Sequence, residues 1–521
     1  MTDFKTEDFL RLSTLRENLV SFHASRTNTS LIWCSDSVAD PEKLSLECSY
    51  IIGSSSTAEK KVFYAERYGG SGIQRNGGGA RCGFDGRYQV KGIGANPLVG
   101  EGTDGRHSNG SLGAVHAVYE MLWSEGLARI LPYGAVRTLA VLLSNEYTEH
   151  AYEHNCNLSQ RALLVREPVV RPAHFERAPY FCPQTRYSSQ LISDAERIEH
   201  VIKRLPENLP VPAEGFSLKA RSDLSLLCVE GMCELARRQA LQTAFCRTRF
   251  LRLTTSPSNI AMDGRLMDFN GLNSLFPDDY CAGFDHQLRL SELIKEPLAL
   301  LKGLYDLSIY LGKYLFSREF SVHLQQEIKA VFDETFSQAC YRGYLSMLGV
   351  MPEMLPFEAL PPVLIKLANN ISQLCIAPYG YQNLSDNRAS RLSAVQSIVT
   401  LVRASQKIRT EHHKGVEQDP RFLDMLNNMS ASHQFLYQKA DRRYIRVLDR
   451  MADIACLRLQ SRKRLNKTEM FGRIACLLDE QRDAPAQLRL TLSQLNQDVQ
   501  RYMVSILSDF QPDAYLQMEG K

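Results

Sequence analysis

Apolar residues recur at two different periods in this chain, and the change of period divides it. Residues 1–60 mix short helical and strand-like pieces. Between 61 and 185 strand-like runs alternate with turn residues. Arg87-Tyr88-Gln89-Val90-Lys91 reads as a short strand that closes on Gly92 and Gly94. Val115, Val118, Leu122 and Leu127 fall close to helical spacing and predict a helix over 112–130, ended by Pro132 and Gly134. Apolar runs at 135–143 and 161–170 predict two further strands. Beyond about residue 185 the period becomes helical, with few glycines: 192–205, 220–251 and most of 290–521 follow it. The proline-bounded stretch 352–362 reads as a connection between helical blocks. The expected fold class is α+β: a lobe of strands with one long helix, then a long, mostly helical region. The expected divisions are an extension (1–60), the α+β lobe (61–185), a helical lobe (186–350) and a helical C-terminal region (351–521).

A chain of 521 residues can hold two or more domains. Its formal charge of +3 is small for that length and argues against a nucleic-acid surface. The basic stretch 458–467 reads as a solvated helix face or loop. Thirteen cysteines, an odd number without repeated spacing, suit buried thiols in a reducing cytoplasm better than a disulfide framework. Cys228 and Cys233 lack a second pair at metal-ligand spacing and read as core thiols. The first residues are partly acidic, unlike a signal peptide, and no stretch approaches about 18 consecutive apolar residues. A cytoplasmic protein with no membrane partner is the expectation.

The chemistry concentrates in two distant segments. The first is glycine-rich, Tyr68-Gly-Gly-Ser-Gly-Ile-Gln-Arg-Asn-Gly-Gly-Gly-Ala-Arg81, and leads to the Lys91 strand. The second is Ser256-Pro-Ser258-Asn259-Ile-Ala-Met-Asp-Gly-Arg-Leu-Met-Asp268-Phe-Asn270. A kinase-like phosphate site needs these parts: glycines near the phosphates, a lysine on a strand, and an Asn and an Asp for magnesium. If the segments are two halves of one site, Lys91, Asn259 and Asp268 should meet in one cleft, within about 10 Å. Residues 290–521 carry none of these features, which leaves them packing and partner recognition.

In order and spacing, these residues resemble the SelO family of protein adenylyltransferases, which have a protein-kinase-like fold. Where the family reads roughly L-K-G-A-G-x-T-P, this chain has Val90-Lys91-Gly92-Ile93-Gly94-Ala95-Asn96-Pro97. G-D-G-R is matched by Thr103-Asp104-Gly105-Arg106, and R-E-x-L-x-S-E-A by Tyr119-Glu120-Met121-Leu122-Trp123-Ser124-Glu125-Gly126. P-T-T-R-A-L is matched by 134–139, and two arginines before a Phe-Glu pair by Arg166 and Arg171 before Phe175-Glu176. N-T-D-N-M and the later Asp-Tyr-Gly are similar to 256–260 and Asp268-Phe269-Asn270, and Asp278-Asp279-Tyr280 follows. The similarity spans about residues 60 to 315.

The resemblance implies ATP and Mg as cofactors. It makes Lys91 a phosphate contact and Glu120 its helix partner, with Glu125 the rival. It places Gly92, Gly94, Arg106, Arg166 and Arg171 around the nucleotide and assigns Asn259 and Asp268 to the metal. The departures bear on mechanism. The family's general base falls on Ser258, which cannot take a proton near neutral pH. Asn270 stands for a glycine and Tyr119 for an arginine. Three explanations remain open: a pseudoenzyme scaffold, another base such as Asp263, or an acceptor that is already ionised. A carboxylate is deprotonated at pH 7 and needs no base. In size and in its long helical C-terminal part, the chain also resembles the maturation proteins of siderophore-bearing (class IIb) microcins. These act with a small acyltransferase-like partner to attach a siderophore to a peptide C-terminus. That resemblance implies a peptide carboxylate as acceptor, with hydroxyl AMPylation the alternative.

Overall fold

The computed structural model describes residues 11–53, 59–149, 158–275, 284–356, 359–376, 394–408, 420–440, 442–459 and 462–509. Eight strands form one sheet: β1 Leu19–Arg26, β2 Thr29–Cys34, β3 Tyr50–Ile51, β4 Lys60–Glu66, β5 Cys82–Phe84, β6 Gln89–Lys91, β7 Thr138–Glu149 and β8 Leu158–Arg166. Their order is β2-β7-β8-β6-β5-β4-β1-β3, and every pairing is antiparallel. With the helices that follow, this bears out an α+β class with a long helical region. Three strands come from residues 19–51, the stretch read as an extension, so the lobe begins well before residue 61. The strand expected over 135–143 starts three residues later. Ala135 and Val136 pair instead with Leu266, in the segment that carries Asp268.

The sheet register decides which side chains meet. Tyr64 pairs with Phe84, Phe84 with Gln89 and Gln89 with Arg166, while Cys82 pairs with Lys91 and Lys91 with Leu164. Side chains alternate faces along a strand. Glu66, Cys82, Gln89, Lys91 and Arg166 therefore share one face of four adjacent strands. Phe63, Ala65, Val90, Leu163 and Val165 take the other face and close a small core with Leu44, Tyr50 and Ile51.

The helix expected over 112–130 is Ala114–Ile130, and every residue from His116 to Leu127 is buried. A helix enclosed on all sides needs a cover beyond the sheet. The Lys467–Glu480 and Pro485–Leu507 helices supply it: Met470, Ile474, Leu495, Val499 and Met503 join Val118, Leu122 and Ala162 in one core. Contact is close at Gly126, where a Cβ would lie 2.1 Å from the Met503 sulfur. A second core joins Leu345, Leu364, Ile371, Ile398, Val402, Leu436, Leu448 and Ile454. Leu426 and Met429 are buried in it, Met425 is half-buried and Leu423 is exposed.

The basic stretch 458–467 is solvated only in part: Arg464 is exposed, but two other arginines are not. Arg458 and Arg462 are buried. Arg458 Nη2 donates to Ser508 O (2.6 Å) and Arg249 Nε to Leu507 O (2.8 Å), while Arg462 donates to the Arg249 carbonyl. The last carbonyls of a helix lack intrahelical donors, and guanidinium groups satisfy them here. Cys228 is a buried core thiol and Cys233 a half-buried one, and among the described residues no three His, Cys, Asp or Glu side chains group as a metal site. No described helix is long and apolar enough to cross a membrane.

Candidate functional site

Lys91 is 3 % exposed and lies between two carboxylates: its Nζ donates to Glu120 Oε2 (2.6 Å) and to Asp268 Oδ1 (2.7 Å). Glu120 also accepts from Arg166 Nη1 (3.2 Å) and from the Asn270 side-chain amide. Arg166 bonds to the Gln89 side chain, and Gln89 in turn to Glu66. Burial disfavours the charged carboxylate of Asp268, but Lys91, then Arg166 and Arg81, outweigh it and hold the group well below the usual range. Burial also opposes ionisation of Glu66, and the His174 hydrogen bond and Arg171 reverse that. The His174 tautomer follows from its contacts. Nδ1 accepts from the Arg171 N–H (2.9 Å), so Nε2 carries the proton and faces Glu66 Oε2 at 3.2 Å. Burial keeps this imidazole neutral by lowering its pKa.

Asp268 is delivered by a hairpin. Ile260 pairs with Leu266, Ala261 N donates to Arg265 O (2.8 Å) and Met267 N to Asn259 O (3.0 Å). Asn259 and Asp268 thus flank the open end. Asp268 is left-handed (φ 64°), which costs a non-glycine residue about 1 kcal/mol. Backbone held in such regions clusters where geometry matters. At the closed end Asp263 pairs with Arg265 (2.6 Å), away from Asn259 and Asp268. It is not among the described residues that line the cavity described next.

A cavity of about 430 Å³ opens beside Lys91 and Asp268. The glycine-rich segment walls it through Tyr68, Gly72–Asn76 without Arg75, and Gly78–Cys82; Arg166, Thr254, Ser258, Asn259, Asn270, Gly271 and Lys467 complete the wall. The glycines allow close approach. A Cβ at Gly72 would lie 2.6 and 2.7 Å from the Ser256 and Ser258 hydroxyls, and one at Gly78 2.3 Å from Glu66 O. Among the described residues, Arg81, Lys91, Arg166 and Lys467 face the cavity with a single carboxylate, Asp268.

Of the residues expected in the site, Lys91, Ser258, Asn259, Asp268 and Arg166 border this cavity, and Glu120 backs it. Lys91 and Asp268, 177 residues apart, are in direct contact. Glu125 is not the lysine's partner: it takes Arg137 through two bonds (2.7 and 2.5 Å). Arg171 stands behind the wall, with Nη1 on Ser258 O (2.9 Å) and its guanidinium 4.8 Å from the Tyr68 ring centre. Gly92 and Gly94 do not border the cavity. Their φ values of 96° and 122° turn the chain away from Lys91, and a Cβ at Gly92 would lie 2.6 Å from Ala162 O. Arg106 is on the short Gly105–Ser108 helix, and its side chain lies outside the described residues, as does all of 278–280.

Ser258 Oγ bonds to Ser256 Oγ (2.8 Å) and donates to Asn259 Oδ1 (3.3 Å). Asn259 Nδ2 donates to Thr254 O (3.1 Å), which orients the amide and leaves its oxygen to accept from Ser258. One amide and one carboxylate oxygen fit magnesium, which binds through one or two protein oxygens together with substrate phosphates and water. Sequence reasoning missed Arg81 and Lys467. Arg81 stood inside the glycine segment and was passed over for its neighbours. Lys467 gave no signal, because its position depends on how the C-terminal helices pack. Comparison with known proteins finds no matching family and no matching curated protein.

Proposed function

We propose that this protein binds ATP with magnesium in the cavity between the glycine-rich segment and the Asn259–Asp268 hairpin, in a kinase-like arrangement, and transfers the adenylyl group. The observation that carries the reading is Lys91, from a central strand, held on a helix glutamate and facing an aspartate beside a cavity rich in cations. Among the described residues around it, four cationic side chains and one carboxylate suit a polyanion. Lys91, Arg166 and Arg81 would contact phosphate oxygens, and Glu120 orients Lys91 and Arg166 together. Asn259 and Asp268 would hold the magnesium, which would supply further positive charge to the phosphates.

The favoured acceptor is a carboxylate, at a peptide C-terminus. Among the described residues around the cavity there is no histidine and no carboxylate with an ordinary pKa to act as a general base. Ser258 is a hydroxyl, and Asp268 is too weakly basic with its pKa depressed. A carboxylate oxygen needs no proton removed. It attacks the α-phosphorus, the bond from that phosphorus to the bridging oxygen breaks, and pyrophosphate leaves with the electron pair. The acyl adenylate is then open to an alcohol or amine, as siderophore attachment in microcin maturation would require, with a small acyltransferase-like protein as partner.

Incubation with α-labelled ATP and candidate peptides tests this. The expected product carries label that hydroxylamine removes. A hydroxylamine-stable label would mean hydroxyl AMPylation. No label, with nucleotide bound, would mean a scaffold.

A further inference from the structure

Of the described residues around the cavity, only Lys467 comes from beyond residue 271. It opens the Lys467–Glu480 helix, behind Asn466, whose side chain accepts from Thr468 N (2.9 Å). A lysine there opposes the helix dipole, whose positive end is the N-terminus, so helix formation does not account for it. Its placement is firmly set. Nζ donates to Asn270 O (2.7 Å) and lies 5.0 Å from the Phe471 ring centre and 5.7 Å from that of Tyr119. Phe471 packs edge-on against Tyr119 and His116, each at 4.9 Å, which fixes the helix start to the helix bearing Glu120. Asn270 follows Asp268 by two residues and bonds to Glu120. The ammonium therefore stands against the segment that supports Lys91 and Asp268, with the cavity before it.

We propose that Lys467 is a phosphate-binding residue, through which the C-terminal helices take part in the nucleotide site. This rests on the nucleotide reading above. Lys467 adds a cation anchored on a backbone carbonyl and two ring faces, which suits contact with the phosphate chain rather than the base.

The test is calorimetric titration of the full chain with MgATP and with AMP, using wild type, Lys467→Met and Lys467→Arg, and with ligand-free melting as a control of the fold. Lys467→Met is expected to weaken MgATP by about tenfold and AMP much less, and Lys467→Arg to restore most of the loss. Unchanged MgATP affinity in Lys467→Met overturns the assignment. So does an equal loss for both ligands together with lower ligand-free melting, since that marks a packing role. A wild-type protein that binds neither ligand overturns the nucleotide reading itself, and this assignment with it.

Discussion

Lys91 shows how few residues the site depends on. It is buried between Glu120 and Asp268, and removing one member of a buried ion network leaves the others uncompensated. Lys91→Met is expected to lower stability by about 3 kcal/mol in denaturant titration, and to abolish the rise in melting temperature caused by MgATP. Lys91→Met with Glu120→Gln should recover part of the stability and none of the binding. Glu176 makes a second prediction at this scale. Burial, reinforced by Asp306, pushes its carboxyl up to about 8, and its Oε1 has no hydrogen-bond partner among the described residues. An unfolded glutamate loses its proton near the ordinary value of about 4.3. Between those values the native state binds more protons, so this group makes stability fall as pH rises, with the full cost reached above about 8. Glu176→Gln should therefore stabilise by on the order of 5 kcal/mol at pH 8.5 and by little at pH 4. An equal difference at both pH values would contradict the assignment. Ser258 gives the third. With a carboxylate acceptor, Ser258→Ala should leave adenylyl transfer near wild type. Ser258→Asp should lower it, by adding negative charge beside an anionic acceptor and by crowding Gly72. Higher activity in Ser258→Asp would point to a hydroxyl acceptor.

At the scale of elements, what was legible depended on whether the signal was local. The helix over 114–130 carried its own period and terminators, and its boundary was within two residues of the expectation. The lysine strand and the Asn259–Asp268 segment could be paired on paper because the chemistry requires both. The sheet order could not, since β1 and β2 sit on opposite sides of the β5–β6–β8 centre and pair with partners far along the chain. The family resemblance places Gly92 and Gly94 around the nucleotide, but neither borders the cavity. Their task is backbone geometry: a positive φ and close passage against Ala162 and Ile52. Arg458 and Arg462 looked solvated because a charge run carries no mark of the helix-end carbonyls it will meet. Lys467 was illegible for the same reason: its contact with Asn270 spans 197 residues. Gly126→Leu follows at this scale. With Met503 seated against Gly126, the change should lower the melting temperature and loosen the two last helices, as proteolysis between 459 and 509 would detect.

The whole molecule is organised around the buried 114–130 helix. The sheet covers one side of it, and helices from the far end of the chain cover the other. The C-terminal region therefore completes the lobe that precedes it by more than three hundred residues, as the reach of Lys467 into the cavity also shows. Magnesium and nucleotide would join the last element of this assembly, the hairpin from Asn259 to Asp268, to the glycine-rich wall. A crystal structure with magnesium and a non-hydrolysable ATP analogue tests this most directly. The expected result is a phosphate chain in the cavity against Lys91 and Arg166, with the metal on Asp268 and the Asn259 side-chain oxygen. Nucleotide bound elsewhere, or an empty cavity at saturating analogue, would contradict it.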